Sequence, residues 1–255
     1  MMESSGFYVT LPSNASMDIY PTNTQASYKI RLPRTMYLKR GFEVALVEIQ
    51  YPLSWDTFAV QSSRELLVTV RSKNELYKVT FPGGHYENIQ ELIDAINRSV
   101  KKYLKSFGME GKEVVITQDR LEHRIKVYTK DNIYVKFSDE CCDILGLLCG
   151  IWYSGDATAP FKHDITKGFH SLFVYCNLCE PQIVGDVYAP LLRSVAIKGS
   201  RGEHVTKTYG EPHYLPVSTD TVDMIEINIK DDTGHDVPFT SGKVVCKLHF
   251  RNRAL

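Results

Sequence analysis

The sequence lacks an excess of charge of either sign: 30 basic residues stand against 30 acidic ones, for a formal net charge of zero. A chain that condenses a genome by bulk attraction needs a basic surplus or arm, because affinity for phosphate backbones grows with the cations that displace counterions. Neither is present, so direct nucleic-acid binding, sequence-specific or not, is not expected. Long apolar runs are missing too. Nothing approaches the roughly 18 uninterrupted apolar residues that read as a membrane-spanning helix. Residues 1–6 have neither the basic nor the apolar region of a secretory signal. The expectation is a chain made and kept in the cytosol or nucleus, its end near Leu255 tied down without a long tail. In such a compartment the six cysteines, Cys141, Cys142, Cys149, Cys176, Cys179 and Cys246, stay as free thiols.

Catalytic constellations are equally scarce. The eight histidines (85, 123, 163, 170, 204, 213, 235 and 249) include no two within four residues of each other. A metalloenzyme built on a β-sandwich of the cupin type would set closely spaced His ligands on one strand. Cys176-Asn177-Leu178-Cys179 has C-x-x-C spacing, but it ends a run that reads as strand. Residues three apart on a strand point to opposite faces, so buried thiols are expected and not a zinc site. The Gly83-Gly84 stretch before a helix lacks the Lys and Ser/Thr of a phosphate-binding loop, and no G-x-S-x-G is present. Asp139-Glu140 and Asp231-Asp232 read as solvated caps and turns. No catalytic residue, metal ligand or cofactor site is assigned, and the chain is not expected to be an enzyme.

What the sequence does contain is alternation. Tyr28, Ile30 and Leu32 alternate with polar residues; so do Leu66, Val68 and Val70, then Tyr77, Val79 and Phe81, then Ile125 and Val127, then Ile133, Val135 and Phe137. Side chains on a strand point alternately to its two faces, so this period marks half-buried strands. The clearest pair is Ile225/Ile227/Ile229 and Val244/Cys246/Leu248/Phe250, separated by the turn sequence Asp231-Asp232-Thr233-Gly234 and read as strands with short connections. Residues 42–51, 172–175 and 191–197 are apolar on both faces and predict strands covered on both sides. One amphipathic helix is predicted over about 88–105, from Ile89, Leu92, Ile93, Ile96, Val100 and Leu104 on one face. Asn88 and Glu91 are spaced as a capping box and Gly108 is a stop. A shorter helix over about 139–148 should give Ile144, Leu145 and Leu148 to the core.

About ten strands around one helix exclude a parallel α/β design. They predict an all-β chain, a single jelly-roll β-sandwich. At 43% hydrophobic the chain can build one sizeable core. No repeat or linker-like run divides it, so residues 1–255 are expected to form one domain. The patternless loop at 154–168 is a candidate contact region. Trp55, Trp152 and Tyr153 either lie on contact surfaces or plug the ends of the sandwich.

One set of stretches is more particular. Leu172-Phe173-Val174-Tyr175-Cys176 runs into Glu180-Pro181-Gln182-Ile183-Val184-Gly185-Asp186, followed by Ala189-Pro190-Leu191-Leu192-Arg193. With Pro82-Gly83-Gly84-His85-Tyr86, Ile144-Leu145-Gly146, Tyr214-Leu215-Pro216-Val217 and Leu248-His249-Phe250-Arg251, it resembles, from near Asn14 to Arg251, the penton or minor capsid proteins of polintons (Mavericks) and adintoviruses. These are virus-like DNA transposons and viruses of animals. The resemblance implies a virion protein, made in the host cytoplasm and assembled in the nucleus. It implies a homopentamer at the fivefold vertices of an icosahedral shell, whose other partner is a double-jelly-roll major capsid protein. The residues that carry it, Glu180, Pro181, Gly185, Asp186, Pro190, Leu191, Leu192 and Arg193, either shape a loop at the contact between subunits or brace an internal turn. Arg193 has the chemistry for a bidentate pair across an interface. The competing reading is a jelly-roll binding module, trimeric and ligand-like or carbohydrate-binding.

Overall fold

The computed structural model describes residues 6–38, 41–58, 65–70, 76–106, 108, 113–130, 132–166 and 169–252. The chain forms two compact units. One is Met1–Trp55 with Phe169–Leu255, and the other is Asp56–Gly168.

The first unit opens with β1 (Phe7–Pro12), β2 (Ser27–Tyr37) and β3 (Phe42–Pro52). The second unit follows, with β4 (Glu65–Val70), β5 (Leu76–Thr80), α1 (Ile89–Ser106), β6 (Val114–Asp119), β7 (Arg124–Thr129), β8 (Ile133–Phe137), α2 (Asp139–Leu145) and β9 (Asp156–Lys162). The chain then returns to the first unit as β10 (Ser171–Cys176), β11 (Gln182–Val184), β12 (Val187–Ala189), β13 (Leu191–Ala196), β14 (His204–Thr208), β15 (Leu215–Pro216), β16 (Thr221–Lys230) and β17 (Val245–Asn252).

In the first unit one antiparallel sheet runs β1-β17-β3-β14, with β15 also on β3, and another runs β13-β10-β16-β2. Except between β10 and β13, and between β14 and β15, the chain changes sheet at each step. That order is a jelly roll. The alternation explains why the sheets close on each other. Tyr28 and Ile30 of β2, Val44, Leu46 and Ile49 of β3, Leu172 and Val174 of β10, Ile225, Ile227 and Ile229 of β16, and Leu248 and Phe250 of β17 all join one buried cluster. Each such side chain taken out of water contributes about 1.5–3 kcal/mol, and the period of two delivers them to one face, with a register shift in β3 bringing Ile49 into line with Leu46.

The second unit holds two three-stranded sheets, β5-β4-β8 and β6-β7-β9. The apolar face of α1 (Ile89, Leu92, Ile93, Ala95, Ile96, Val100 and Leu104) is buried in a cluster with Leu66, Val68, Ile116, Ile125 and Val135. Asn97 fixes the helix to β6: its amide donates to the Ile116 carbonyl (2.8 Å), and its side-chain oxygen accepts from the Ile116 N–H (2.9 Å). Asn88 caps α1 through the Glu91 N–H (3.0 Å). The Glu91 carboxylate reaches one residue further back than a capping box, accepting from the Glu87 N–H (3.0 Å).

Several expectations are corrected. β16 and β17 do not form a hairpin. They lie in different sheets, and the 231–234 turn folds back on the end of β16, where the Asp231 N–H donates to the His235 carbonyl (2.9 Å). Strand β13 pairs only with β10, so it is an edge strand. Its inward side chains Leu192 and Val195 are buried and Ser194 and Ala196 are exposed; the strand is not covered on both sides. Helix α2 stops at Leu145, with Gly146 left-handed (φ 70°) as its cap. That turn shifts the register by one, so Leu147 is buried where Leu148 was expected, and Leu148 is exposed. Part of the patternless 154–168 stretch is strand β9, paired with β7. Its inward positions are Ala157 and Ala159, too small to show as alternation. Residues 167–168 of that stretch, the chain end near Leu255 and residues 1–5 fall outside the described residues. Trp55 lies edge-on between Phe169 (5.1 Å) and Phe239 (5.7 Å) and is half-buried, and Tyr153 is buried. Trp152 is exposed.

Candidate assembly site

The 180–193 segment joins two neighbouring strands of one sheet, β10 and β13, and the structure divides it into a base and a tip. The base is tied down. The Glu180 N–H donates to the Pro216 carbonyl (3.0 Å), and the Pro190 carbonyl accepts from the Cys176 N–H (3.0 Å). Leu192 is buried in the core and Leu191 is half-buried. The Gln182 amide donates to the Leu191 carbonyl. The Arg193 guanidinium lies over the Tyr209 ring, 3.6 Å from its centroid, and donates to the Glu211 carbonyl (3.4 Å). Arg193 therefore has an intramolecular position, stacked as a cation on an aromatic face.

The tip is the hairpin β11–β12, whose strands pair with each other and with no other strand among the described residues. Its register sets Gln182 opposite Ala189, Ile183 opposite Tyr188 and Val184 opposite Val187. Gly185 and Asp186 form the turn between them, with Gly185 at φ 63°, a conformation a β-carbon would strain. Because directly opposed residues share a face, the hairpin has two unlike sides. On one side Gln182, Val184 and Ala189 are half-buried, and Val187 beside the turn is exposed. Ile183 and Tyr188 on the other are 70% and 76% exposed. Ile183 and Tyr188 were not among the residues singled out from the sequence. The signal was there, two short apolar runs flanking Gly-Asp, which is a hairpin pattern.

Beside the base lies a groove of about 460 Å³, lined by Gln182 of β11, by residues of β13, β14 and β15 and by the 209–213 segment. The lining carries the basic side chains Arg193, Lys207 and His213 and no acidic one.

The cysteines are free thiols, and five of the six are buried. The geometry expected for Cys176 and Cys179 is corrected. β10 ends at Cys176, and the next two residues turn the chain so that the Cys179 N–H donates to the Cys176 carbonyl (3.2 Å) and the two thiols meet. Among the described residues no group of three or more His, Cys, Asp or Glu is placed to hold a metal. The Cys176 contact and burial push the Cys179 thiol up, and burial pushes Cys246 up to about 12. Burial, then Cys149, raises Cys142. Reaction needs an accessible thiolate. Maleimide titration should therefore count one fast thiol, Cys149, in the native protein and six in denaturant; two or more fast native thiols would contradict the packing.

Two histidines make the fold acid-sensitive. His163 Nε2 accepts from the Gln118 amide (2.7 Å), and burial followed by His123 lowers its pKa. His249 Nδ1 is 2.7 Å from the Tyr214 hydroxyl, and burial followed by Arg251 lowers its pKa. A folded-state pKa below the unfolded one means that the native state binds fewer protons. This contribution to stability is complete above the ordinary imidazole value of about 6.5 and declines as pH falls below it. The melting temperature should drop between about pH 7 and about pH 5.5, and less so in the His163→Gln/His249→Gln variant. An equal drop in both proteins would remove these histidines from the account.

The architecture and site define a jelly roll of a five-stranded and a four-stranded sheet, carrying an exposed apolar hairpin between two strands of one sheet. No family model matches the chain and no curated protein matches it. A solved structure does: the crystal structure of the mavirus penton protein, 12% identical, with a TM-score of 0.54, covering 97% of this chain and 99% of that one. At that identity the likeness shows a shared fold over nearly the whole length.

Proposed function

We propose that this chain is a penton protein of the polinton and adintovirus kind, a structural subunit of an icosahedral capsid. Five copies form a ring at each fivefold vertex, set among double-jelly-roll major capsid proteins, with residues 1–255 acting as one subunit. It acts in the virion, after synthesis in the host cytoplasm and assembly in the nucleus, and not as an enzyme. The observation that carries this reading is the end-to-end fold likeness to the mavirus penton protein. The zero net charge agrees with a shell component that does not hold the genome by bulk attraction. In this reading the 180–193 segment contributes to assembly, Glu180, Pro181, Pro190, Leu191, Leu192 and Arg193 by bracing the base and Gly185 and Asp186 by shaping the tip.

Light scattering with negative-stain averaging tests it. A species near five times 29.1 kDa with fivefold rings supports the reading. A trimer, or a monomer at the highest attainable concentration, overturns the self-assembling vertex subunit and favours a ligand-like jelly roll.

A further inference from the structure

We propose that the β11–β12 hairpin is the arm with which one copy of this chain holds the next, its Ile183/Tyr188 face seating on the groove beside β13 and β14 of the neighbouring copy. The inference rests on the vertex reading and supplies the contact which that reading leaves open.

Three observations carry it. On one side of the hairpin Gln182, Val184 and Ala189 are half-buried and only Val187 is exposed, while on the other a large aliphatic and an aromatic residue stand opposed and mostly exposed. A free two-stranded hairpin is marginal in water, and an outward apolar pair on it fits a covered surface. Next, the groove is bounded by strands that, among the described residues, are each paired on one side only, β13 with β10 and β14 with β3. Bare edges of this kind are normally covered. Finally, the charges match. Glu180 and Asp186 flank the hairpin, both exposed, and neither has an ion-pair partner among the described residues. Lys207 in the groove is likewise exposed and without an ion pair there, and Arg193 and His213 line the groove with it. A chain of zero net charge cannot draw its own copies together by overall attraction, so the opposite signs must sit on separate patches, as they do here.

The occupant is therefore a second copy and not an unrelated partner. Ile183 and Tyr188 are not among the residues that line the groove, which takes only Gln182 from the hairpin, so the outer face and the groove are separate patches present on every copy. Closing a ring requires such a heterologous contact, in which patch one of each subunit meets patch two of the next. The aromatic Tyr188 is the residue type that dominates such contacts.

The test uses the full chain and two sets of variants, read by light scattering and negative stain, with far-UV circular dichroism and melting temperature as checks on folding. The first is Ile183→Asp/Tyr188→Asp, at two positions that stand outside the core. It should fold as the wild type does and raise the dissociation constant of the ring by about tenfold or more. The second is a charge swap. Asp186→Lys and Lys207→Glu should each weaken the ring, and the two together should restore it toward the wild type. Restoration supports the pairing of hairpin with groove. Rings that persist unchanged in the first variant overturn the arm and leave the vertex reading standing. Rings lost in both single charge variants and still absent in the double overturn the groove as the partner. A wild type that forms no ring overturns the vertex reading and this inference with it.

Discussion

Replacing Phe250 by alanine should lower the stability of the jelly-roll unit by about 3–5 kcal/mol, the range for deleting a fully buried aromatic ring. Phe250 is on β17, which lies between β1 and β3, and none of its surface reaches solvent. Its register partners are Phe7 on one side and Val44 on the other. The Phe7 ring stacks on it with centroids 5.0 Å apart and planes 3° from parallel, a contact worth about 0.5–1.5 kcal/mol beyond area burial. Truncation therefore removes the transfer energy of the ring, leaves a cavity at the middle of a sheet and strips a partner from Phe7. Phe250→Leu keeps most of the volume and should cost less than about 2 kcal/mol. Urea unfolding at unchanged slope measures both. A loss below about 1 kcal/mol for the alanine variant would mean that the strands around β17 collapse into the gap, contrary to the packing described.

The second large effect is expected at Gly146→Ala. Gly146 caps α2 with φ 70°, where an L residue pays about 1–2 kcal/mol. A β-carbon there would also stand 2.5 Å from the Phe161 carbonyl oxygen and 2.8 Å from that of Lys162. Both are backbone atoms of β9, held in place because the Phe161 N–H donates to the Gly146 carbonyl (3.1 Å). Relief requires moving the strand away from the cap, and the total should reach about 3 kcal/mol or more. Gly150→Ala is the control. It has φ 81° and open space around the added carbon, so it should show the conformational part alone, about 1–2 kcal/mol. Equal losses at the two positions would reject the close approach of β9 to the cap.

The elements were legible from the chain, and their partners were not. Period-two spacing located the buried side chains of β16 and β17, and the 3.6-residue spacing located all of α1, because burial repeats with the local geometry of each element. Nothing local says which sheet a strand joins. Two strands separated by a turn sequence look like a hairpin, and only the competition among all the strands of the unit for neighbours sends β16 and β17 to different sheets. The 56–168 unit left no compositional trace, since it enters and leaves without a Gly-, Ser- or Pro-rich linker. β9 hid because its inward residues are alanines. At the candidate site, the residues that carry the motif turned out to serve mainly the base, where Leu192 packs and Arg193 stacks. The exposed pair Ile183 and Tyr188 was passed over because an alternating short run reads equally well as core, and exposure is a property of the fold around it.

The position of β17 also has a consequence in time. In chain order it follows every other strand, yet it fills the slot between β1 and β3. While the polypeptide is still emerging from the ribosome, β1 has no partner in its sheet and β3 lacks one of its two long neighbours. The 56–168 unit is contiguous in the chain, its longest pairing, β4 with β8, lying wholly within it, so all of its strands are available before β10 is made. Non-local pairing is slow to form, so the jelly roll, and with it any surface that depends on both its sheets, comes into being only after the last strand has been translated. Until then the unpaired edges of β1 and β3 are exposed on the nascent chain, the interval in which aggregation competes with folding.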